Sequence, residues 1–478
     1  MLAMRISLIL LLVALLAGCN QKPEITAQNR PNLLFIIPDQ FRTHALGFMK
    51  QDPVQTPNLD RLAEESMVFV NAISNRPLCS PYRAMLMTGK YPFKTGVLTN
   101  CNTSSRKYGN YLRSTETTIT DVLSENGYNC GYIGKWHLDA PAGPDVDDWR
   151  KSIWDAYTPP EARHGIDFWY SYGTFDQHFN PHYWINDASR EDTTFINEWS
   201  PRHEVEVARE FINNQTGDQP WVLFLSMNPP HPPYQLVPDE YLSDYEGKSA
   251  AELLNRQNVP ETAEAAYKHV KNYFAAVTGV DDQIGQLMEF LEEKKLNENT
   301  IVVFTSDHGE LMGSHGLMQK GPWYEESVRI PFMIRWPEKI TPAIDSLHLA
   351  VPDVMPTLLG LIDLEDQIPA DVQGINYQNL LLGDGKIARP DFNLYLNPRP
   401  ESALGGFRGF RSNQYTFVLE RNNEGKVVDE ILYDNLNDPY QLKNVAASNP
   451  DLVNRFSKQL MKRLTEIDDF WVEYDRSL

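Results

Sequence analysis

Cysteine and positive charge are both scarce in this sequence. Among 478 residues there are only 4 cysteines, and 43 Lys and Arg residues stand against 64 Asp and Glu residues, which gives a formal net charge of −21. This balance argues against non-specific binding to nucleic acid, and an anionic substrate would have to be attracted by local cations in a cleft. The sequence also contains no HExxH or CxxC pattern that would favour a dedicated zinc site.

Long apolar runs are scarce too, and one stands at the start of the chain. Ile6 to Ala17 is apolar but short for a membrane-spanning helix, and it follows a single basic residue, Arg5. We therefore interpret residues 1–18 as a signal peptide and residues 19–30 as a polar tether.

The signal segment ends in Leu16-Ala17-Gly18-Cys19, which resembles a bacterial lipobox. The resemblance implies cleavage before Cys19 and lipidation of its thiol, and hence an exported lipoprotein that is periplasmic or on the cell surface and touches the membrane only through its lipid. A plain secretory signal or a short anchor is the alternative.

The other cysteines are Cys79, Cys101 and Cys130. In an oxidising compartment, Cys101 and Cys130 could pair and leave Cys79 as the odd one. Two separately buried thiols fit the sequence equally well.

Four apolar runs predict strands that are buried on both faces of a parallel sheet. They cover residues 32–37, 128–133, 221–226 and 301–306. The polar residues that follow them are Asp39, Gln40, Lys135, His137, His231, Asp307 and His308. Ligands bind beyond the carboxyl ends of the strands in an open parallel α/β sheet, so these residues should converge on one crevice.

Helical patterns and a change near the C-terminus complete the predicted architecture. Thr56-Pro57 should cap and open a short helix, and a long helix should run from about residue 262 to 295. Beyond residue 384, strands at 410–419 and 430–434 and a helix at 451–467 are predicted. We expect an α/β catalytic domain over 31–384, with a large sheet flanked by helices, and a smaller antiparallel subdomain with a helix over 385–478.

Residues 139–199 form a long, irregular segment that is rich in aromatic side chains. Apolar ring faces with polar edges suit sugar binding. An insertion that packs on itself is equally compatible with the sequence.

The stretch Cys79-Ser80-Pro81-Tyr82-Arg83 predicts that Cys79 is the N-cap of a helix that stops at Gly89. The helix N-terminus would favour a thiolate or a bound anion, and Arg83 would face the same spot. A single cysteine in an apolar neighbourhood is more often inert packing. The four polar strand ends favour the functional interpretation.

These residue types suit a divalent metal and a tetrahedral oxyanion. Asp39, Gln40 and Asp307 offer oxygen ligands for a hard cation such as Ca²⁺ or Mg²⁺, and His308 leaves Mn²⁺ or Zn²⁺ open. Arg83, Lys135 and Lys320 would supply positive charge, and His137 and His231 would serve as acid and base. These three cationic residues and two histidines complete the predicted site.

Taken together, the motifs resemble those of the type I, formylglycine-dependent sulfatases of the alkaline phosphatase superfamily, in the carbohydrate sulfatase branch. The Cys79 stretch with Thr88-Gly89 is similar to the C-x-P-x-R…TG signature of that family. The similarity continues in Thr56-Pro57-Asn58-Leu59, Gly134-Lys135-Trp136-His137, His231-Pro232-Pro233-Tyr234, Ser306-Asp307-His308-Gly309, His315-Gly316, Lys320-Gly321, Leu432-Tyr433-Asp434 and Asp438-Pro439.

The resemblance implies an alkaline phosphatase-like fold and oxidation of Cys79 to formylglycine by a sulfatase-maturating enzyme. One hydroxyl of the formylglycine hydrate would attack sulfur in line. The hydrate would lie on a divalent metal, Ca²⁺ with Mg²⁺ or Mn²⁺ as alternatives, held by Asp39, Gln40, Asp307 and His308.

Further roles follow from the same resemblance. The sugar alcohol would leave with a proton from His231 or Lys320, and His137 would help to deprotonate the second hydroxyl so that sulfate is expelled. Lys135 and Arg83 would stabilise the hydrate, and Lys135, Lys320 and the metal would bind sulfate oxygens. The implied substrate is a sulfated polysaccharide or oligosaccharide, such as a glycosaminoglycan or an algal glycan.

The chain departs from the common family pattern at three positions. Tyr82 stands where Ser or Ala is frequent, Gln40 where many members have Asp, and His308 where many have Asn. The residues at the last two positions resemble the pattern of a branch that carbohydrate sulfatases share with phosphonate monoester hydrolases. A phosphonate monoester or phosphodiester hydrolase with the same nucleophile, and a non-catalytic lipoprotein that binds sulfated glycans, are therefore the competing hypotheses.

Overall fold

A computed structural model describes residues 30–472, except for 176, 218, 384 and 386. The predicted signal peptide, Cys19 and all of the tether before Arg30 lie outside the described residues. Within them, no helix combines the length and apolar character needed to cross a membrane.

A ten-stranded mixed sheet forms the larger part of the fold, with the strand order β10-β2-β9-β8-β1-β7-β3-β4-β5-β6. The strands are β1 (Asn32–Ile36), β2 (Met67–Phe69), β3 (Asn129–Lys135), β4 (Phe168–Tyr172), β5 (His182–Ile185), β6 (Thr194–Phe195), β7 (Trp221–Ser226), β8 (Thr300–Thr305), β9 (Phe332–Arg335) and β10 (Ala343–Asp345). The five strands from β8 to β4 are parallel. The large, mostly parallel sheet expected from the sequence is thus confirmed.

The four strands predicted from apolar runs lie side by side in the centre of this sheet. Alternate residues of β1 face two different cores: Leu33 and Phe35 pack in one cluster, and Leu34 and Ile36 pack in the other. A strand that is covered on both faces needs apolar residues at every position, which explains the continuous runs. The carboxyl ends of the four strands therefore meet at one edge.

Helices cover both faces of the sheet. They are α1 (Pro57–Glu64), α2 (Cys79–Thr88), α3 (Pro92–Thr95), α4 (Ile119–Glu125), α5 (Ser200–Asn213), α6 (Asp239–Leu242), α7 (Ala250–Leu253), α8 (Glu264–Glu293), α9 (Glu325–Val328), α10 (Val354–Leu361), α11 (Gln378–Leu381) and α12 (Pro450–Glu466).

Two helix starts differ from the prediction in detail. Thr56 precedes α1 but makes no capping bond, because its hydroxyl accepts from Gly47 N at 2.7 Å and donates to Asp60 at 2.9 Å. The prediction that Cys79 is the N-cap of this helix is wrong. Cys79 is the first residue of α2, and Leu78 is the N-cap. Gly89 ends α2 with a φ of 67°, as expected of a helix stop.

The C-terminal subdomain is a four-stranded antiparallel sheet with α12 packed against it. Its strands are β11 (Phe392–Arg399), β12 (Ser402–Ser412), β13 (Tyr415–Arg421) and β14 (Val427–Asp434). The single strand predicted at 410–419 is wrong, since the chain turns there and Tyr415 N donates to Ser412 Oγ at 2.9 Å. The domain boundary at 384/385 stays a prediction.

The aromatic segment is part of the main domain and packs against both of its cores. Its strands β4 to β6 extend the main sheet, and the rings of Trp169, Tyr183 and Trp199 are buried. The cysteines are equally enclosed: Cys101 and Cys130 are free buried thiols, so the structure contains the two separate thiols and not the disulfide.

Candidate active site

Cys79 lies in a buried cluster with Asp39, Asp307 and His308. One ligand atom from each of the four residues lies within 4.8 Å of those of the others. The Sγ of Cys79 is 3.3 Å from Nε2 of His308 and 4.0 Å from Oδ1 of Asp39. The cluster forms where two neighbouring strands end, because Asp39 follows β1 and Asp307 and His308 follow β8.

The donor set fits a divalent cation. The Nδ1 atom of His308 lies 3.0 Å from the backbone oxygen of Gly309, to which it can donate, and this leaves Nε2 as the acceptor that faces the cluster. That Nε2 is 3.5 Å from Oδ1 of Asp307 and 3.6 Å from Oδ1 of Asp39. Burial opposes the charge of His308, but Asp307 raises its pKa, so a bound ion would displace a proton from Nε2. Two carboxylates and this imidazole could then hold a metal ion between them.

Gln40 has a different neighbourhood from the other three predicted ligands. Its backbone N donates to Asp307 Oδ1 at 3.0 Å, but its side-chain Oε1 accepts from Lys320 Nζ at 2.6 Å. Its Nε2 donates to Glu310 and to the hydroxyl of Tyr234. The Gln40 side chain thus links the cluster to Lys320, and its role as a metal ligand stays a prediction.

Arg83 joins the two carboxylates on the side of the cluster that faces α2. Its Nη2 lies 3.2 Å from Asp39 and 3.4 Å from Asp307, and its Nη1 donates to the Lys135 carbonyl at 2.7 Å and to Ser226 at 2.6 Å. Burial lowers the pKa of the guanidinium less than the surrounding anionic groups raise it, so Arg83 remains charged. Helical spacing explains the placement, since Arg83 is one turn after Cys79.

Lys135 supplies a second buried cation next to the thiol. Its Nζ lies 2.7 Å from Oδ2 of Asp39 and 3.8 Å from the Sγ of Cys79. Burial opposes the charge, but Asp39 and Cys79 raise the pKa of the lysine. Lys135 is the last residue of β3, so the strand end itself carries the ammonium group into the site.

These charges give the cluster an uneven electrostatic character. Burial and Asp39 would raise the pKa of the Cys79 thiol, but Lys135, Lys320 and His308 lower it to about 6. Burial likewise opposes the ionised form of Asp39, whose pKa Lys135 nevertheless holds well below its usual range. The site therefore favours an anion at the position of the Cys79 side chain.

The remaining predicted residues surround this cluster. Burial, Lys320 and Lys135 lower the pKa of His231, and its Nδ1 lies 2.8 Å from the Pro232 carbonyl. Burial, Lys135 and Arg83 lower the pKa of His137, whose Nε2 lies 3.2 Å from the Cys101 carbonyl. Both imidazoles are therefore neutral near pH 7.

Several residues with evident roles in the site were not predicted. Ser226 and Tyr132 contact the Arg83 guanidinium, and Asn228 Oδ1 lies 3.5 Å from Lys135 Nζ. Glu310 accepts a hydrogen bond from the side-chain amide of Gln40. Ser226, Asn228 and Glu310 follow or end predicted strands, so their positions were a usable signal. Tyr132 lies within a strand and carried none.

Comparison with known proteins agrees with this geometry. Residues 31–364 match the Sulfatase family, and residues 313–469 match the family described as N-sulphoglucosamine sulphohydrolase, C-terminal. An endo-4-O-sulfatase of Bacteroides thetaiotaomicron is 40% identical over 492 aligned positions, which cover 95% of this chain and 96% of that protein. An ulvan-active sulfatase of Formosa agariphila is 34% identical, with 95% and 86% covered.

A solved structure shows the same fold over nearly the whole chain. The crystal structure of a Bacteroides fragilis protein assigned as a sulfatase superposes with a TM-score of 0.89 at 41% identity, covering 96% of this chain and 99% of that one. The family match, the relatives and the fold agree with the resemblance seen in the sequence, and the chain is an enzyme that belongs to the sulfatase family.

Proposed function

We propose that this sulfatase hydrolyses sulfate esters of a sulfated polysaccharide or oligosaccharide, with formylglycine derived from Cys79 as its nucleophile. The observation that carries the proposal is the placement of Cys79 Sγ 3.3 Å from His308 and 3.8 Å from the Lys135 ammonium, inside a cluster with two carboxylates. A glycosaminoglycan or an algal glycan fits the names of the relatives, which are an endo-4-O-sulfatase and an ulvan-active sulfatase.

A divalent cation would be held by Asp39, Asp307 and His308, with Gln40 beside them. We propose Ca²⁺, because it prefers oxygen ligands, with Mg²⁺ or Mn²⁺ as alternatives. When bound, such an ion polarises oxygen atoms and stabilises negative charge. Arg83 and Lys135 would hold the hydroxyl groups of the formylglycine hydrate, since Lys135 Nζ is 3.8 Å from Cys79 Sγ and Arg83 binds Asp39 beside it.

Charge develops on the ester oxygen and on the sulfuryl oxygens as the S–O bond breaks. Lys135 and Lys320 would bind the sulfuryl oxygens, because preorganised cations in a water-poor site stabilise charge better than solvent does. A geminal diol also explains how the sulfated enzyme returns to its free form. When its second hydroxyl loses a proton, the aldehyde re-forms and the carbon–oxygen bond to the sulfate group breaks, without attack of water on sulfur.

Two histidines would move the protons. His231 or Lys320 would protonate the departing sugar oxygen, and His137 would accept the proton of the second hydroxyl. Neutral His137 suits an accepting role, because burial and the charges of Lys135 and Arg83 keep its pKa low. His231 would take up its proton once the anionic ester offsets the charges of Lys320 and Lys135.

Mass spectrometry and a substrate screen test the proposal together. In protein from a host with a sulfatase-maturating enzyme, the peptide that contains Cys79 should carry an aldehyde, and sulfate release from defined sulfated oligosaccharides should disappear in Cys79→Ala. Cys101→Ala, which removes another buried thiol, is the matched control and should retain activity.

Other outcomes would contradict specific parts of the proposal. An unmodified Cys79 in the native host would favour a protein that only binds sulfated glycans. Faster turnover of aryl phosphonates than of any sulfate ester would favour a phosphonate monoester hydrolase.

The export of the protein as a lipid-anchored, periplasmic or surface enzyme is a second part of the proposal, supported by Leu16-Ala17-Gly18-Cys19. Cell fractionation should find the protein in the membrane fraction and Cys19→Ala in the soluble fraction. Retention of Cys19→Ala in the membrane would instead indicate an uncleaved anchor.

A further inference from the structure

A second cavity, separate from the Cys79 cluster in its lining residues, lies between the main domain and the C-terminal subdomain. Its volume is about 440 Å³, within the range of small-ligand sites. We call it the basic cavity; its lining consists of His44, Lys50, Gln51, Asn255, Arg256, Glu325, Arg329, Arg411, Asn413, Asn435, Pro439 and Tyr440. Ligand sites are usually apolar, so this polar lining indicates a hydrophilic ligand.

The charge of the basic cavity is opposite to that of the protein. The lining contains four cationic side chains, Lys50 and three arginines, and one carboxylate, Glu325. The lining residues thus carry a formal charge of +3, whereas the whole chain carries −21. Glu325 already binds Arg411 at 2.6 Å and lies 3.5 Å from Arg329. Arg256 is likewise paired with Glu326 at 2.8 Å, so two carboxylates stand against four cations and a formal excess of two positive charges remains for a ligand.

The basic cavity is also close to the active site along the chain. His44 is four residues after Gln40, and Glu325 is five residues after Lys320. Since a fully extended chain spans at most about 3.6 Å per residue, these pairs of Cα atoms are separated by no more than about 14 Å and about 18 Å. A substrate that carries several anionic groups could reach from the Cys79 cluster to the basic cavity.

We propose that the basic cavity binds a second sulfate or carboxylate group of the polyanionic glycan, at a distance from the ester that is hydrolysed. Arg256 already binds Glu326 and Gln51, and Arg329 already binds Glu325 and the Val70 carbonyl. Their remaining N–H groups, together with the ammonium group of Lys50, would donate to the oxyanion. The amides of Asn255, Asn413 and Asn435 suit the sugar hydroxyls beside it. This inference rests on the proposed function for its choice of ligand.

Binding to an inactive protein tests the cavity without relying on turnover. In the Cys79→Ala background, calorimetry with a disulfated glycosaminoglycan tetrasaccharide should show a Kd about tenfold higher for Lys50→Ala with Arg329→Gln, as expected for the loss of charge-assisted contacts. Lys50→Ala alone keeps the test valid if Arg329→Gln does not fold, because Lys50 is exposed. Lys458→Ala, at an exposed lysine on α12, should leave the Kd unchanged.

Kinetics and free anions distinguish the remaining explanations. In the active enzyme, the cavity variants should lose about tenfold more kcat/KM on the tetrasaccharide than on 4-nitrophenyl sulfate. Equal losses on both substrates, or an unchanged Kd, would overturn the inference. So would inorganic sulfate or phosphate that binds in the cavity without competing with the tetrasaccharide. If no sulfate ester is turned over at all, the proposed function fails while the binding measurement still reports on the cavity.

Discussion

The Sγ atom of Cys79 lies 3.3 Å from Nε2 of His308, so the thiol that we propose as the precursor of the nucleophile is in direct contact with the imidazole of the cluster. The two residues come from different parts of the fold, one from the first turn of α2 and the other from the loop after β8. The oxygen atoms that replace Sγ in a formylglycine hydrate would therefore lie beside His308 and the two carboxylates, the residues that would hold a divalent cation. This relationship makes the charge balance of the cluster the property to test.

Replacement of Arg83 by alanine should strongly destabilise the protein. The arginine lies between the carboxylates of Asp39 and Asp307, and its loss would leave Asp307 without its guanidinium partner, whereas Asp39 would keep Lys135 at 2.7 Å. Breaking a buried ion pair in this way costs about 3–5 kcal/mol of unfolding free energy. Urea unfolding measures the change, and Arg61→Ala is the control because its ion pair with Glu292 is exposed and worth about 0–1 kcal/mol. Equal effects of the two substitutions would contradict this account.

Divalent metal should raise the melting temperature of the protein, and a chelator should lower it. Asp39 and Asp307 repel each other even with Arg83 and Lys135 beside them, since burial together with the Asp39 charge raises the pKa of Asp307 to about 7. An ion that binds only the folded state adds about 2.7 kcal/mol at a concentration 100 times its Kd. Thermal scans with Ca²⁺, Mg²⁺ and Mn²⁺ would rank the ions.

The matched pair for the metal experiment is Asp307→Asn and Asp281→Asn. Both remove a buried carboxylate, but Asp281 accepts hydrogen bonds from the backbone of Asn58 and Leu59, outside the cluster. Asp307→Asn should abolish the response to metal, and Asp281→Asn should keep it even if its basal stability falls. A response that survives Asp307→Asn would place the ion elsewhere.

The sequence was sufficient to predict the central strands because their burial on two faces leaves a direct trace in composition. The same logic found Asp39 and Asp307, since a polar residue at the carboxyl end of a buried strand stands out. The sequence could not predict that Ser226 and Tyr132 contact Arg83, because contacts between different strands depend on strand order. Strand order is a property of the tertiary fold.

Tyr82 illustrates a different limit. The sequence offered no reason for a tyrosine after Pro81, but in the structure the ring is fully buried in the core and its hydroxyl lies 3.4 Å from Oγ1 of Thr305. Tyr82 therefore fills space between α2 and β8. Packing partners of this kind carry no local pattern, and the same holds for the turn that divides β12 from β13.

Acid should destabilise the protein in part through His137. Burial, Lys135 and Arg83 lower the pKa of His137 in the folded state, so below about pH 6.5 the unfolded chain binds the proton more readily. Stability should therefore fall as the pH falls from about 6.5 towards the folded-state pKa, by at most about 1.4 kcal/mol per pH unit for one proton. Urea titrations between pH 5 and 8 should show a smaller loss for His137→Gln than for the wild type. Asn454→Ala, at an exposed residue of α12 that has no titratable group, should retain the wild-type slope, and identical slopes for all three proteins would contradict the assignment.

Glu310 should act on catalysis by positioning Gln40 and, through it, Lys320. The carboxylate is fully buried and accepts from Gln40 Nε2, from the Tyr234 hydroxyl at 2.7 Å and from two backbone N–H groups. In Glu310→Gln, an amide group would face the Gln40 amide, and Gln40 would have to turn over to pair with it. Its Nε2 would then meet the Lys320 ammonium, where Oε1 now accepts at 2.6 Å.

Because two donors cannot pair, Lys320 would lose its fixed position, and kcat/KM should fall about tenfold, the effect of one hydrogen bond to a charged group. A double-mutant cycle separates positioning from general damage to the fold. If Glu310 acts through Lys320, then Glu310→Gln should cost little further kcat/KM in a Lys320→Ala background. Additive losses would mean that Glu310 supports the site by another route, through the backbone of Met312 and Gln319.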